Sequence, residues 1–166
     1  MDDLRNRIAR EDENLADRYW KNQDIDVLVG ERAAFFDTLI REIWRETIPP
    51  ASRSELAVFA VGGYGRGELF PHSDIDLLIV GRRPSRQKSH ITKFLHCLFD
   101  LNLEVGHSVR SLRDCKREAQ QDLTVATALF ERRHLAGSQD LAARLDKLMA
   151  SSRLWPAETF FRAKRD

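Results

Sequence analysis

Only two cysteines, Cys97 and Cys115, occur in 166 residues, and their spacing is that of neither a disulfide framework nor a zinc site. Both are expected to be free thiols on ordinary helices. No signal-peptide pattern and no long apolar run is present, which excludes a secretory or membrane-spanning reading and makes a soluble, cytoplasmic protein the expectation. Charge of one sign is also missing: 27 basic against 26 acidic residues leave a formal net charge of +1, which provides no general attraction for nucleic acid or membrane surfaces. There is no internal repeat and no low-complexity linker. Nor is there a Gly-Lys-Ser/Thr for a P-loop, and the glycines that do occur are spaced wrongly for a dinucleotide-binding unit. What remains, at 42% hydrophobic and 32% charged, is a chain able to bury one proper core.

The first fifty residues read as helical. Leu4 and Ile8, then Leu15 and Tyr19, keep helical spacing, and Phe35, Phe36, Leu39, Ile40, Ile43 and Trp44 make one broad apolar stripe that Pro49-Pro50 ends. A strand is expected from Leu56 to Val61, then a glycine turn, then a second strand up to Val80. Arg82, Arg83, Pro84 and Ser85 form a basic loop before a helix carrying Ile91, Phe94, Leu95, Leu98 and Phe99. A short strand over Leu103 to Val109 follows. The remainder is expected to be helical, roughly Ser111–Gln120, Asp122–Glu131 and Gln139–Met149, with Gly137 as a stop and a last piece after Trp155-Pro156. Trp20, Trp44 and Trp155 are expected as core anchors.

The densest chemical information lies between Val61 and Val80. Asp74 and Asp76 alternate with Ile75 and Leu77, so on a strand the two acids share one face. Two carboxylates brought that close repel, and one pKa must rise unless a cation sits between them. Mg²⁺ suits the position, because it takes hard oxygen ligands from one or two carboxylates together with substrate phosphates. Upstream, Gly62, Gly63, Gly65 and Gly67 allow the backbone to approach a triphosphate and offer its N–H groups. Either half alone is weak; glycines at the end of one apolar run and acids at the start of the next are specific together.

Gly62-Gly63 followed by Asp74-Ile75-Asp76 resembles the signature of the polymerase-β-like nucleotidyltransferase superfamily. The longer string GGYGRGELFPHSDIDLLIV, with LEVGHSVR at 103–110 and DLTVATALFERRHLAG at 122–137, is similar to one member family. That family is the bifunctional uridylyltransferase/uridylyl-removing enzymes of the nitrogen-regulatory PII protein. The resemblance implies an α+β fold with a small mixed sheet flanked by helices and with helical N- and C-terminal extensions. Its expected divisions are an N-terminal helical segment at 1–50, the nucleotidyltransferase core at 51–137, and a helical extension at 138–166 that starts a truncated downstream region. It implies UTP as donor, a PII tyrosine as acceptor, two Mg²⁺ ions, and further HD and ACT domains for uridylyl removal and glutamine sensing, which these 166 residues do not contain.

Asp74 and Asp76 are the expected metal ligands. The superfamily's third acid comes from a later strand; Glu104 is favoured over Asp100. Gly62, Gly63, Arg66 and Ser73 are the expected nucleotide-binding residues, although Arg66 can equally cap a helix and Ser73 can close the turn before Asp74. His107 reads more readily as a packed structural residue than as a base, and His72 is equally open. Arg82, Arg83, Arg86 and Lys88 either steer an acidic ligand or form a solvated loop. Two other readings stand beside uridylyl transfer: a nucleotidyltransferase acting on glutamine synthetase or a small antibiotic, and a nucleotide-binding module without chemistry.

Overall fold

The computed structural model describes residues 1–150. Helix α1 (Asp2–Trp20) is charged around most of its circumference and buries only Leu15. Helix α2 (Ile25–Thr47) differs because its apolar residues recur every three or four positions: Leu28, Val29, Ala33, Phe36, Leu39, Ile40, Ile43 and Trp44 are all buried. Asp24 caps its start by accepting from the Asp26 amide at 2.9 Å. The helix stops at Thr47, just ahead of Pro49-Pro50. Arg7 joins α1 to α2 through two hydrogen bonds to Glu42, at 2.6 and 3.1 Å.

Four strands form one mixed sheet in the order β3-β2-β1-β4. They are β1 (Leu56–Ala60), β2 (Ile75–Gly81), β3 (Val105–Arg110) and β4 (Arg133–Gly137). β1 runs antiparallel to both β2 and β4, whereas β2 and β3 are parallel. β1 is buried along its whole length, as its unbroken apolar sequence requires of an inner strand covered on both faces.

Alternation divides the sheet residues between two cores. Leu56, Val58, Ala60, Ile75, Leu77 and Ile79 pack with α2 and with α4 (Lys88–Asp100), where Trp44 meets Phe94 edge to face at 5.1 Å. Ala57, Phe59, Leu78 and Val80 pack with α5 (Leu112–Gln121), α6 (Leu123–Phe130) and α7 (Gln139–Ala150). A reciprocal capping box between Ser111 and Asp114 starts α5, and Asp122 starts α6 by accepting from the Thr124 amide at 2.7 Å. Helices therefore cover both faces, the α+β architecture with a small mixed sheet that the sequence suggests.

Two expectations fail. The segment 133–137 is not part of a helical run: it is β4, held to β1 through Phe59 opposite His134 and Ala60 opposite Arg133. Only Leu135 of its five residues is buried, so no local apolar pattern announces it; the free edge of β1 supplies the partner. Trp20 is not a core anchor, since it is 80% exposed at the end of α1, whereas Trp44 is 1% exposed. Trp155 and the expected last helical piece lie outside the described residues. No helix among the described residues is long and apolar enough to cross a membrane.

Candidate active site

Strand directions decide what meets at one end of the sheet. Because β1 and β2 are antiparallel, with Ala60 opposite Leu77, the segment that leaves β1 lies beside the segment that enters β2. Because β3 is parallel to β2, its own start lies at that same end. Three stretches distant in sequence therefore converge: the glycine turn, Ser73–Asp76, and Glu104–Gly106.

The glycine turn is a single helical turn, α3 (Gly62–Gly65). The Val61 amide donates to the carbonyl of Asp76 at 3.0 Å, which ties the turn to β2. Within it, the amides of Gly65, Arg66 and Glu68 donate back to Val61, Gly62 and Gly63. The leading amides, at Gly62 and Gly63, have no intrahelical acceptor, as at any helix start. Gly62 has φ of 60°, a conformation that side chains disfavour. A Cβ there would also stand 3.4 Å from Oδ2 of Asp76.

On its other side Asp76 meets β3. It lies opposite Gly106, and a Cβ on that residue would collide with Asp76 Oδ1. The Asp76 carboxylate thus occupies a slot that exists because Gly106 has no side chain, whereas Gly62 is required by its φ and would meet the carboxylate only at contact distance. It is half-buried, while Asp74 is exposed. Burial first, and then the charge of Asp74, push the Asp76 carboxyl above the usual carboxylate range. A half-buried acid beside a second acid is the donor set that suits a hard divalent cation. Among the described residues, no group of three or more His, Cys, Asp or Glu side chains stands ready to hold a metal. Neither Glu104 nor Asp100 is gathered with Asp74 and Asp76 into such a group.

Glu104 precedes Val105, the partner of Ile75, and its carbonyl accepts from the Ile75 amide at 2.9 Å. Glu104 stands immediately before β3 as Asp74 stands immediately before β2, so the parallel register brings the two positions to the same end of the sheet. Asp100 ends α4, whose apolar stripe serves the opposite core, and its carbonyl accepts from Arg5 at 2.7 Å. His107 also falls on the opposite face, with its ring 5.8 Å from Phe99. His72 has φ of 67° in the turn that enters β2, and the Ser73 amide closes that turn on the Phe70 carbonyl at 3.1 Å. Arg66 is engaged by two acids, Glu68 at 3.1 Å and Glu131 at 3.0 Å.

The basic cluster does not belong to this site. Arg82, Arg83 and Arg86 line a hollow of about 620 Å³ with Glu55 and Gln87, beyond the far end of β2. At ~3.3 Å per residue the strand puts roughly 20 Å between that end and Asp76. A larger groove of about 750 Å³ runs between α1, α2 and residues 69–72, and approaches the acids only through Phe70, Pro71 and His72. Gly106 is the site residue that sequence reasoning passed over. A glycine inside a strand is itself a signal of close approach, and here the approaching group is Asp76.

A model of the nucleotidyltransferase domain matches residues 37–133, which includes the glycine turn, both acids and Glu104. A bifunctional uridylyltransferase/uridylyl-removing enzyme of Azotobacter vinelandii is 45% identical over 162 residues, 96% of this chain. Another protein of that description, from Hydrogenovibrio crunogenus, is 42% identical over 147 residues, 89% of the chain. The chain spans only 18% and 17% of the length of these two relatives. A crystal structure of a toxin-antitoxin with AMP-PNP is similar at 18% identity over 78% of this chain and 96% of that one, with a TM-score of 0.48, too loose a likeness to carry an argument. Two acids and a glycine turn at one sheet end, within the matched residues, place the chain in the nucleotidyltransferase domain family.

Proposed function

We propose that this domain transfers UMP from UTP to a tyrosine hydroxyl of the PII signalling protein and releases pyrophosphate. The observation that supports transfer chemistry is the half-buried Asp76 carboxylate, set two residues from Asp74 in a slot between Gly62 and Gly106. A raised carboxyl pKa with no cation beside it is costly, and a site that orders nucleotide and metal together removes that cost. The choice of uridylyl transfer rests on the relatives' description, and the PII tyrosine rests on the family resemblance. Uridylyl removal and glutamine sensing are assigned to the HD and ACT domains expected elsewhere in such proteins.

Asp74 and Asp76, joined by Glu104 once its side chain turns inward, would hold two Mg²⁺ ions. When bound, the metal offsets the charge of the triphosphate and of the departing pyrophosphate. The leading amides at Gly62 and Gly63 hold triphosphate oxygens. Arg66, on leaving Glu68 and Glu131, adds a planar guanidinium contact, and the exposed Ser73 hydroxyl adds a hydrogen bond. The tyrosine oxygen then forms a bond to the α-phosphorus as the bond to pyrophosphate breaks in line, and the phenolic proton passes to the carboxylate group.

The test uses full-length protein with labelled UTP, Mg²⁺ and purified PII. Label is expected on PII, and its loss is expected in folded Asp74→Asn and Asp76→Asn variants. Binding of UTP without transfer would instead support a module that performs no chemistry, and preferred use of another nucleotide or acceptor would support a different transferase of the superfamily.

A further inference from the structure

We propose that Asp37, Tyr64 and Arg133 form an internal strut that aims the glycine turn at Asp76, which makes them positioning residues for nucleotide binding. The inference rests on the nucleotidyl-transfer reading of the site. The three residues come from α2, from the middle of α3 and from the start of β4. Tyr64 is 1% exposed: it points from the turn into the core, where its hydroxyl donates to Asp37 Oδ1 at 2.8 Å. One guanidinium completes the arrangement. Arg133 pairs with Asp37 Oδ2, donates to the carbonyl of Tyr64 at 3.0 Å and to that of Gly65 at 3.4 Å, and lies over the Tyr64 ring at 5.5 Å. Arg41 adds a longer contact to Asp37 at 3.8 Å.

Stability alone is a poor explanation for this network. Asp37 is 8% exposed while Arg133 is half-buried, and an ion pair drawn partly out of water is often matched or bettered by apolar side chains of similar volume. What apolar packing lacks is direction. A single turn made mostly of glycine has almost no side chains of its own to fix its axis, and an isolated helical turn is marginal. Hydrogen bonds from Arg133 to the carbonyls at its far end supply that axis. Once the axis is fixed, so is the heading of the amides at Gly62 and Gly63 beside Asp76. Burial, with the Asp37 carboxylate adjoining, holds the Tyr64 hydroxyl protonated at any working pH, so it remains a donor.

Two measurements on the full chain decide the matter. In the transfer assay, Asp37→Asn and Arg133→Lys, which keeps the charge but not the fork, are expected to raise KM for the nucleotide about ten-fold, with KM for the acceptor within about two-fold. Tyr64→Phe removes one oxygen and keeps the packing, so it serves if the other variants do not fold; a rise of about three-fold is expected. Leu145→Ala, in the core on the other face of the sheet, is the control for destabilisation. It lowers the thermal midpoint and the active fraction without moving KM for the nucleotide. The second measurement is amide hydrogen exchange without nucleotide: exchange at Gly65–Glu68 is expected to accelerate at least ten-fold in Asp37→Asn, with β2 amides unchanged. Unchanged exchange there, or a nucleotide KM that tracks thermal midpoint across all variants including Leu145→Ala, overturns the strut. If the wild type binds no nucleotide, the transfer reading falls, and the exchange measurement still decides whether the strut exists.

Discussion

Asp76→Asn is expected to stabilise the metal-free protein while abolishing transfer. Asp74 stands just before β2 and Asp76 is its second residue, so in extended backbone at ~3.3 Å rise per residue the charges are about 6.6 Å apart. Coulomb's law at that separation gives about 0.6 kcal/mol in bulk water and about 2.5 kcal/mol at an effective dielectric constant near 20. Asp74 is exposed and Asp76 only half-buried, so solvent screening draws the value toward the lower limit, to about 1 kcal/mol. In a chain of this size that corresponds to a rise of roughly 2–4 °C in thermal midpoint. The pH dependence has a definite sign. The folded state holds the Asp76 proton more tightly than the unfolded state does, so the penalty is absent below the ordinary value of 3.8 and fully felt above the raised one. The variant's advantage should therefore be complete near neutral pH and vanish in acid. Mg²⁺ should invert the order: at about one hundred times its dissociation constant it stabilises the wild type by about 2.7 kcal/mol, and the variant by much less. Thermal melts at low ionic strength, with EDTA or with Mg²⁺, at pH 7 and below pH 4, measure all of this. A wild type at least as stable as the variant in EDTA at pH 7, or no change of order with Mg²⁺, would refute the account of an Asp76 carboxylate disfavoured by burial and by the charge of Asp74.

Other substitutions probe separate parts of the site. Gly106→Ala forces its Cβ onto Asp76 Oδ1, and should cut kcat/KM at least ten-fold with little change in the circular dichroism of the folded chain. Glu104→Gln should reduce transfer by about a hundred-fold and weaken Mg²⁺ binding, whereas Asp100→Asn should stay within about three-fold; equal losses would remove the distinction that the β2–β3 register draws. Trp20→Ala should change stability by less than about 0.5 kcal/mol in chemical denaturation, because its ring is 80% exposed.

Much of the fold follows from periodicity. The α2 stripe, the two inner strands and the helix at Lys88–Asp100 each carry enough apolar residues at one spacing to reveal themselves locally, and Pro49-Pro50 marks a boundary that holds. β4 is different in kind. Arg133-His134-Leu135-Ala136-Gly137 has neither a helical stripe nor an alternating one, and it becomes a strand because β1 has an unpaired edge more than seventy positions earlier. Trp20 shows the complementary error. A large aromatic residue is a core candidate by composition, but it sits at the last position of a helix that buries a single residue.

The site divides along the same line. The glycine turn and the two aspartates are separated by about a dozen residues and announce themselves as one motif, because an antiparallel pair of strands brings the end of one to the start of the next. What gives the motif its shape is remote. The slot around Asp76 requires Gly106, which acquires its meaning only from the parallel register with β2, and the turn is gripped by Arg133, a residue on the strand that local pattern conceals. Sequence therefore exposes the groups that would touch the nucleotide and hides those that aim them, since chemistry depends on residue type while aim depends on which strand edges pair. The same separation explains why a core truncation such as Leu145→Ala and a strut variant such as Asp37→Asn should part company in the nucleotide KM: the first removes packing on one face of the sheet, the second releases the element that faces Asp76.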